Sequence, residues 1–146
     1  MAALEWSDAL ALDLPLMDDT HREFVDLLAQ VEQADDATVV PRWPELVDHT
    51  EQHFGQEDAW MVATRFASGN CHTTQHKVVL QVMREGIVRA EQGDLQPIRI
   101  MTGELAQWFP QHAQMMDASL ALHLRRVGFD PATGVVHAPD ALPAEL

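Results

Sequence analysis

Several things are scarce in this chain, and each scarcity removes a class of function. There is one cysteine, Cys71, and no tyrosine. A single thiol cannot form an internal disulfide, and the opening MAALEWSDAL has no basic start followed by an apolar run, so a reducing, cytoplasmic location is expected. Without tyrosine, no tyrosyl radical or phenolic acid can take part in chemistry. Basic residues are also few: 9 Lys and Arg stand against 23 Asp and Glu, a formal net charge of −14. A surface of that sign repels nucleic acid and anionic membranes, so neither is expected as a partner. Charged or polar residues interrupt every apolar run well before the roughly 20 residues of a membrane span. Nor is there a repeat, a low-complexity tract or a flexible Gly/Ser linker to divide the 146 residues. One compact unit is expected.

What the chain does have is helical periodicity. Leu10, Leu12, Leu14 and Leu16 alternate with other residues, which suits an extended N-terminal arm over residues 1–17 laid on the body of the protein. Asp18, Asp19 and Thr20 then offer N-cap and first-turn acids for a first helix to about Gln33, with His21, Phe24, Val25, Leu28 and Val31 on one face. Pro41 and Pro44 mark the start of a second, ending at Ser68-Gly69-Asn70, in which Leu46, His49, Thr50, His53, Glu57, Trp60 and Met61 share a face. A third runs from near Cys71 to near Glu91 and carries His72, His76, Val79, Met83 and Ile87. The fourth opens at Pro97 and reaches about Arg126, turning Met101, Leu105, Trp108, His112 and Met115 or Met116 inward. The pattern predicts an all-α, up-down-up-down four-helix bundle over residues 18–127, followed by an irregular C-terminal tail over 128–146.

There are eight histidines, and they break the apolar pattern of the inner faces. His53 and Glu57 are four apart, which stacks them one turn above the other; His72 and His76 repeat that geometry with two imidazoles. Two nitrogen donors one turn apart can grip a single metal ion. His112 and Asp117 are five apart and diverge by about 140° on a regular helix, poor for one ion but adequate for a carboxylate reaching to a second. His21 stands alone on the first helix. Either pair by itself is weak evidence, since exposed helix histidines and solvated carboxylates account for many such spacings. The joint pattern of His, His-x3-Glu, His-x3-His and His-x4-Asp, one per helix, has no comparable bland explanation. Five imidazoles and two carboxylates exceed the donors one six-coordinate ion takes but suit two ions sharing the carboxylates. Calcium and magnesium prefer all-oxygen shells, and structural zinc favours cysteine. Iron accepts both donor types.

The segments Trp6, Met17-Asp18-Asp19-Thr20-His21, His53-Phe54-Gly55-Gln56-Glu57, His72 to His76, and Trp108-Phe109-Pro110-Gln111-His112 with Asp117 resemble the hemerythrin family, in particular its single-domain bacterial members. Myohemerythrin, a four-helix bundle, belongs to the same family, so the bundle expectation and the resemblance are not independent. The resemblance implies a cofactor of two Fe ions, cycling between Fe2+ and Fe3+, with an oxo or hydroxo bridge. One iron would be held by His72, His76 and His112, the other by His21 and His53, with Glu57 and Asp117 bridging. It implies a vacancy on the second iron where dioxygen binds reversibly, for carriage, storage, delivery or sensing. Phe24, Phe54, Trp108 and Phe109 match positions that line the family's oxygen pocket, although four aromatic residues would be core in any bundle. A histidine-rich shell also stabilises high-valent iron less than the four carboxylates and two histidines of ferritin-like oxidases.

The chain departs from the family in three places. Ala113 stands where a bulky aliphatic residue usually follows His112, which leaves room for a larger or wetter pocket. Pro110 should kink the fourth helix two residues before a ligand. Phe66-Ala67-Ser68-Gly69 replaces a Gly-Tyr-Pro segment. Two alternatives remain beside the oxygen-binding reading: a di-iron enzyme acting on peroxide or nitric oxide, and an iron-handling protein with no diatomic ligand. The protein partner is not legible.

Overall fold

The computed structural model describes residues 2–67 and 69–143. Its helices are α1 (Pro15–Gln33), α2 (Asp36–Ala63), α3 (Gly69–Glu91) and α4 (Gln96–His112), the last continued by a π-helical turn (Ala113–Asp117) and α5 (Ala118–Arg126). α1 packs on α2, α2 on α3, α3 on α4, and α4 back on α1. Short joints turn each helix back beside its predecessor, which gives an all-α four-helix bundle. No helix among the described residues is long and apolar enough to cross a membrane.

The second break falls earlier than the sequence reading placed it, since α2 ends at Ala63 and α3 already includes Gly69 and Asn70. Three other boundaries differ, each for a local reason. α1 starts at Pro15, whose fixed φ suits a first helical position. Asp18 is therefore inside the helix, where its Oδ1 accepts a bond from the Leu12 N–H at 2.9 Å and ties the arm down. The arm buries Leu4, Leu10, Leu12 and Leu14 and includes a 3-10 turn at Asp8–Leu10, whereas Leu16 lies in α1 and is exposed. α2 starts five residues before Pro41, because Asp35 caps it by accepting from the Thr38 N–H at 2.8 Å. Pro41 and Pro44 thus sit within the helix; the carbonyls they leave unbonded belong to Ala37 and Val40, both exposed to water. The tail is not wholly irregular: β1 (Phe129–Asp130) pairs antiparallel with β2 (Val135–Val136), and Phe129 packs against Trp60. Ser68 of the second break, Met1 of the arm, and residues 144–146 of the tail lie outside the described residues.

The core is divided. One apolar cluster holds Phe24, Trp43, Leu46, Met83, Ile98 and Phe109. The other holds Met17, Trp60, Met61, Leu120, Leu124 and Phe129. Along α1, α2 and the α4–α5 rod, the buried histidines, Glu57 and Asp117 fall between the two clusters, so each apolar mass clamps one side of a polar centre.

The larger cluster depends on a close helix approach at Gly86. A β-carbon there would lie 2.8 Å from Ile98 Cγ2 and 2.9 Å from Trp43 Nε1, while that indole N–H donates to the Met83 carbonyl at 2.9 Å. Alanine is the better helix former by about 1 kcal/mol, but overpacking a rigid indole costs about 1–3 kcal/mol. Gly86→Ala is therefore expected to lower stability, by up to about 2 kcal/mol, in denaturant unfolding; raised stability would show that the indole yields.

Candidate metal centre

All seven side chains singled out as ligands are buried at one place. His21, His53, Glu57, His72, His76, His112 and Asp117 are each at most 3% exposed. Burying two carboxylates and five imidazoles is costly unless every one of them is paired or coordinated. Their ring nitrogens and carboxylate oxygens form two nests: His72, His76 and His112 with Glu57 and Asp117, and His21 and His53 with the same two acids.

The carboxylates divide their oxygens between the nests. Glu57 Oε1 is 3.3 Å from His76 Nε2 and 3.6 Å from His72 Nε2, while Oε2 is 2.9 Å from His53 Nε2 and 3.2 Å from His21 Nε2. Asp117 Oδ1 is 2.9 Å from His72 Nε2 and 3.2 Å from His112 Nε2, while Oδ2 is 3.3 Å from His21 Nε2. Each acid thus offers one atom to each side. One nest has five donors and the other four.

The π turn explains why Asp117 belongs here. On a regular helix, residues five apart diverge by about 140°. Between His112 and Asp117 the Ala118 N–H reaches back to the Ala113 carbonyl, five residues earlier, so the turn holds one extra residue. Asp117 then shares a nest with His112 instead of reaching away from it. Pro110 lies in the last turn of α4, which remains helical through His112.

The donor set fits a cation better than a hydrogen-bond network. Glu57 Oε1 and both oxygens of Asp117 are buried with no hydrogen-bond partner among the described residues, although imidazole nitrogens surround them. His72 and His76 also point Nε2 at His112 Nε2, at 3.2 and 3.3 Å. Converging nitrogen lone pairs and unpartnered carboxylate oxygens are what a metal ion satisfies.

Beyond the ligating atoms, two residues matter that the sequence did not single out. Asp58 Oδ1 accepts from His76 Nδ1 at 2.8 Å, and Gln75 Oε1 accepts from His112 Nδ1. No helical spacing flags either one, since each bond crosses between helices; the only signal is a polar residue adjacent in sequence to a ligand. His49, one turn before His53, bonds to Glu23 at 3.1 Å and enters neither nest. His123 has Nε2 2.8 Å from the Thr64 carbonyl and likewise enters neither nest.

Aromatic rings sheathe the imidazoles. Phe109 stands edge-on to His21 at 5.1 Å, and Phe24 packs on Phe109 at 4.7 Å, both beside the four-donor nest. Phe54 touches both nests, stacking on His76 at 3.9 Å and lying 5.2 Å from His53. Trp108 stacks on His112 at 4.4 Å, on the five-donor side. Ala113 is fully buried in the larger apolar cluster. A cavity of about 410 Å³ adjoins the centre, lined by His72, Gln75, Trp108, His112 and Met115 and by exposed Cys71, but not by Ala113.

Charge within the centre shifts its titrations. Burial disfavours the charged form of His21, but Asp117 and Glu57 outweigh it and raise the pKa from 6.5 to about 10. Burial likewise opposes protonation of His76, yet Asp58 and Glu57 raise it to about 9. Burial pushes the carboxyls of Glu57 and Asp117 up, with repulsion from Asp117 adding to it at Glu57, and the surrounding histidines more than reverse this, leaving both well below the ordinary range. In the metal-free chain the raised imidazoles contribute stability that is complete below pH 6.5 and lost as pH rises through 9 to 10. The depressed carboxyls contribute stability that is complete above pH 4.5 and lost in acid. At pH 7 His21 and His76 are protonated, whereas a ligating imidazole must be neutral at the bonding nitrogen. Metal uptake at pH 7 should therefore release about two protons per chain from these two groups. Titration calorimetry in buffers of different ionisation enthalpy measures this; a heat independent of buffer would contradict it.

Comparison with known proteins gives a consistent picture. A family model described as hemerythrin HHE cation binding domain matches residues 12–123. A bacteriohemerythrin of Ralstonia nicotianae is 38% identical over 130 residues, 89% of this chain and 95% of that protein. One from Pseudomonas aeruginosa is 26% identical over 81% of this chain and 79% of its own length, and one from Stenotrophomonas maltophilia 27% over 83% and 81%.

Proposed function

The chain belongs to the hemerythrin family, and from that premise we propose that it holds two iron ions, joined by an oxo or hydroxo bridge, and binds dioxygen reversibly. The observation that carries this reading is the unequal pair of nests sharing both carboxylates. Five protein donors plus a solvent-derived bridge fill one six-coordinate shell; four plus the same bridge leave one position of the other open. When bound, the iron pair supplies the two electrons that a reversible union with dioxygen needs.

The protein's own part is to place, shield and balance. His21 and His53 leave the open position on their side, where Phe24 and Phe109 are fully buried and keep water out. Neutral imidazoles outnumber carboxylates five to two, a balance that favours release of intact dioxygen over cleavage. Glu57 and Asp117 would supply negative charge to both cations, each with one oxygen facing either nest.

Iron analysis combined with an optical spectrum tests the proposal. About two irons per chain are expected on this donor count, with charge-transfer bands that appear on adding oxygen to the reduced protein and vanish on removing it. Rapid bleaching with turnover of peroxide or nitric oxide would indicate an enzyme instead. Two irons with no spectral response to oxygen would indicate iron handling.

A further inference from the structure

We propose that the two metal ions enter in a fixed order, the five-donor nest before the four-donor nest, because Asp58 and Gln75 hold two of its imidazoles in the ligating orientation. The inference rests on the two-ion reading above and deepens it.

A histidine ring can flip, and only one orientation turns Nε2 into the nest. A partner that accepts from Nδ1–H selects that orientation before any metal arrives. In the five-donor nest, His76 has such a partner in Asp58, itself held by the Thr73 hydroxyl at 3.3 Å, and His112 has one in Gln75. In the four-donor nest neither imidazole does: Nδ1 of His21 and Nδ1 of His53 are both buried with no hydrogen-bond partner among the described residues. The difference is reinforced by connectivity. His72 and His76 are one turn apart on α3 and already aligned, whereas His21 and His53 come from two helices. The five-donor nest therefore has more donors and less to lose in ordering them, and pre-organisation of this kind appears directly as affinity.

Asp58 is a positioning residue, since it touches His76 and no metal-facing atom, and its side chain is 32% exposed. Its replacement tests orientation without opening the core. Metal-free protein is titrated with Co2+ and observed by native mass spectrometry together with calorimetry. In the unaltered chain, one equivalent should give mostly the one-cobalt species, with a second, weaker step to follow. Asp58→Ala should weaken the first step by about 10- to 100-fold, the usual effect of removing a partner of a ligating histidine, and blur the two steps together. Asp58→Asn, whose amide oxygen still accepts from Nδ1–H, should restore most of the separation. Glu23→Gln, which alters only the partner of His49, should leave both steps unchanged.

A statistical mixture of zero-, one- and two-cobalt protein at one equivalent would overturn the proposal in the unaltered chain, whether or not the alanine variant folds. So would an Asp58→Ala titration identical to the parent. Either result leaves two ions per chain intact. A titration that stops at one cobalt removes the two-ion reading itself, and the order with it.

Discussion

Replacing Glu57 with alanine is expected to cut the iron content to one per chain or less and to abolish any response to oxygen. Glu57 is the residue of α2 that offers a ligand atom to both nests, with Oε1 toward His72 and His76 and Oε2 toward His21 and His53. Without it the nests fall from five and four donors to four and three, and the two ions lose one of the two carboxylates that join them and balance their charge. The effect extends to the metal-free protein. His21 is buried completely and owes its raised pKa to Glu57 and Asp117. Removing one partner of a buried charge pair costs about 3–5 kcal/mol, so the metal-free variant should unfold at clearly lower denaturant at pH 6, where the histidine is charged in the parent. The penalty should shrink toward pH 10, as His21 becomes neutral in the parent too. Elemental analysis and denaturant unfolding at the two pH values measure both parts; retention of two irons would refute the bridging role.

Two single-residue deletions in the last rod of the bundle should have opposite outcomes. The π turn of Ala113–Asp117 carries one residue more than a regular helix needs, and Met115 within it is 73% exposed. Deleting Met115 places Asp117 four residues after His112, which on a regular helix is still the same face. Leu120, Ala121 and Leu124 of α5 also keep their inward phase. The shortened chain should fold and still take up two metal ions. Deleting Gln107 from the regular part of α4 should instead turn the preceding segment by about 100° relative to His112, so that either Leu105 and Ile98 or the ligands lose the core. That variant should be insoluble or metal-free. The comparison is read from metal content and helical circular dichroism. Equal damage from both deletions would show that the π turn does not act as an inserted residue.

Those two predictions also mark what the sequence can and cannot disclose. His53 with Glu57, and His72 with His76, are legible because four residues is close to one helical turn, and nothing tertiary is needed to put them together. His21 is legible only as an anomaly, a polar residue on an apolar stripe. Asp117 is harder. Regular-helix arithmetic sends it 140° away from His112, and a π turn leaves no mark in hydrophobic periodicity. Asp58 and Gln75 are illegible for a different reason: each acts on a histidine of another helix, through a bond that depends on how α2, α3 and α4 pack. The start of α2 is obscured because proline signals a first turn more loudly than the Asp35 cap that sets it. Trp108 belongs to the matched segment, yet its stacking on His112 rather than beside His21 depends on which way α4 faces.

Mössbauer spectroscopy of the reduced, iron-loaded protein is the most direct measurement of the central claim, that two ions sit in unlike nests. The five-donor and four-donor sites should give two ferrous signals of equal area with different splittings. A single signal, or two whose areas change independently with preparation while iron stays below two per chain, would contradict it.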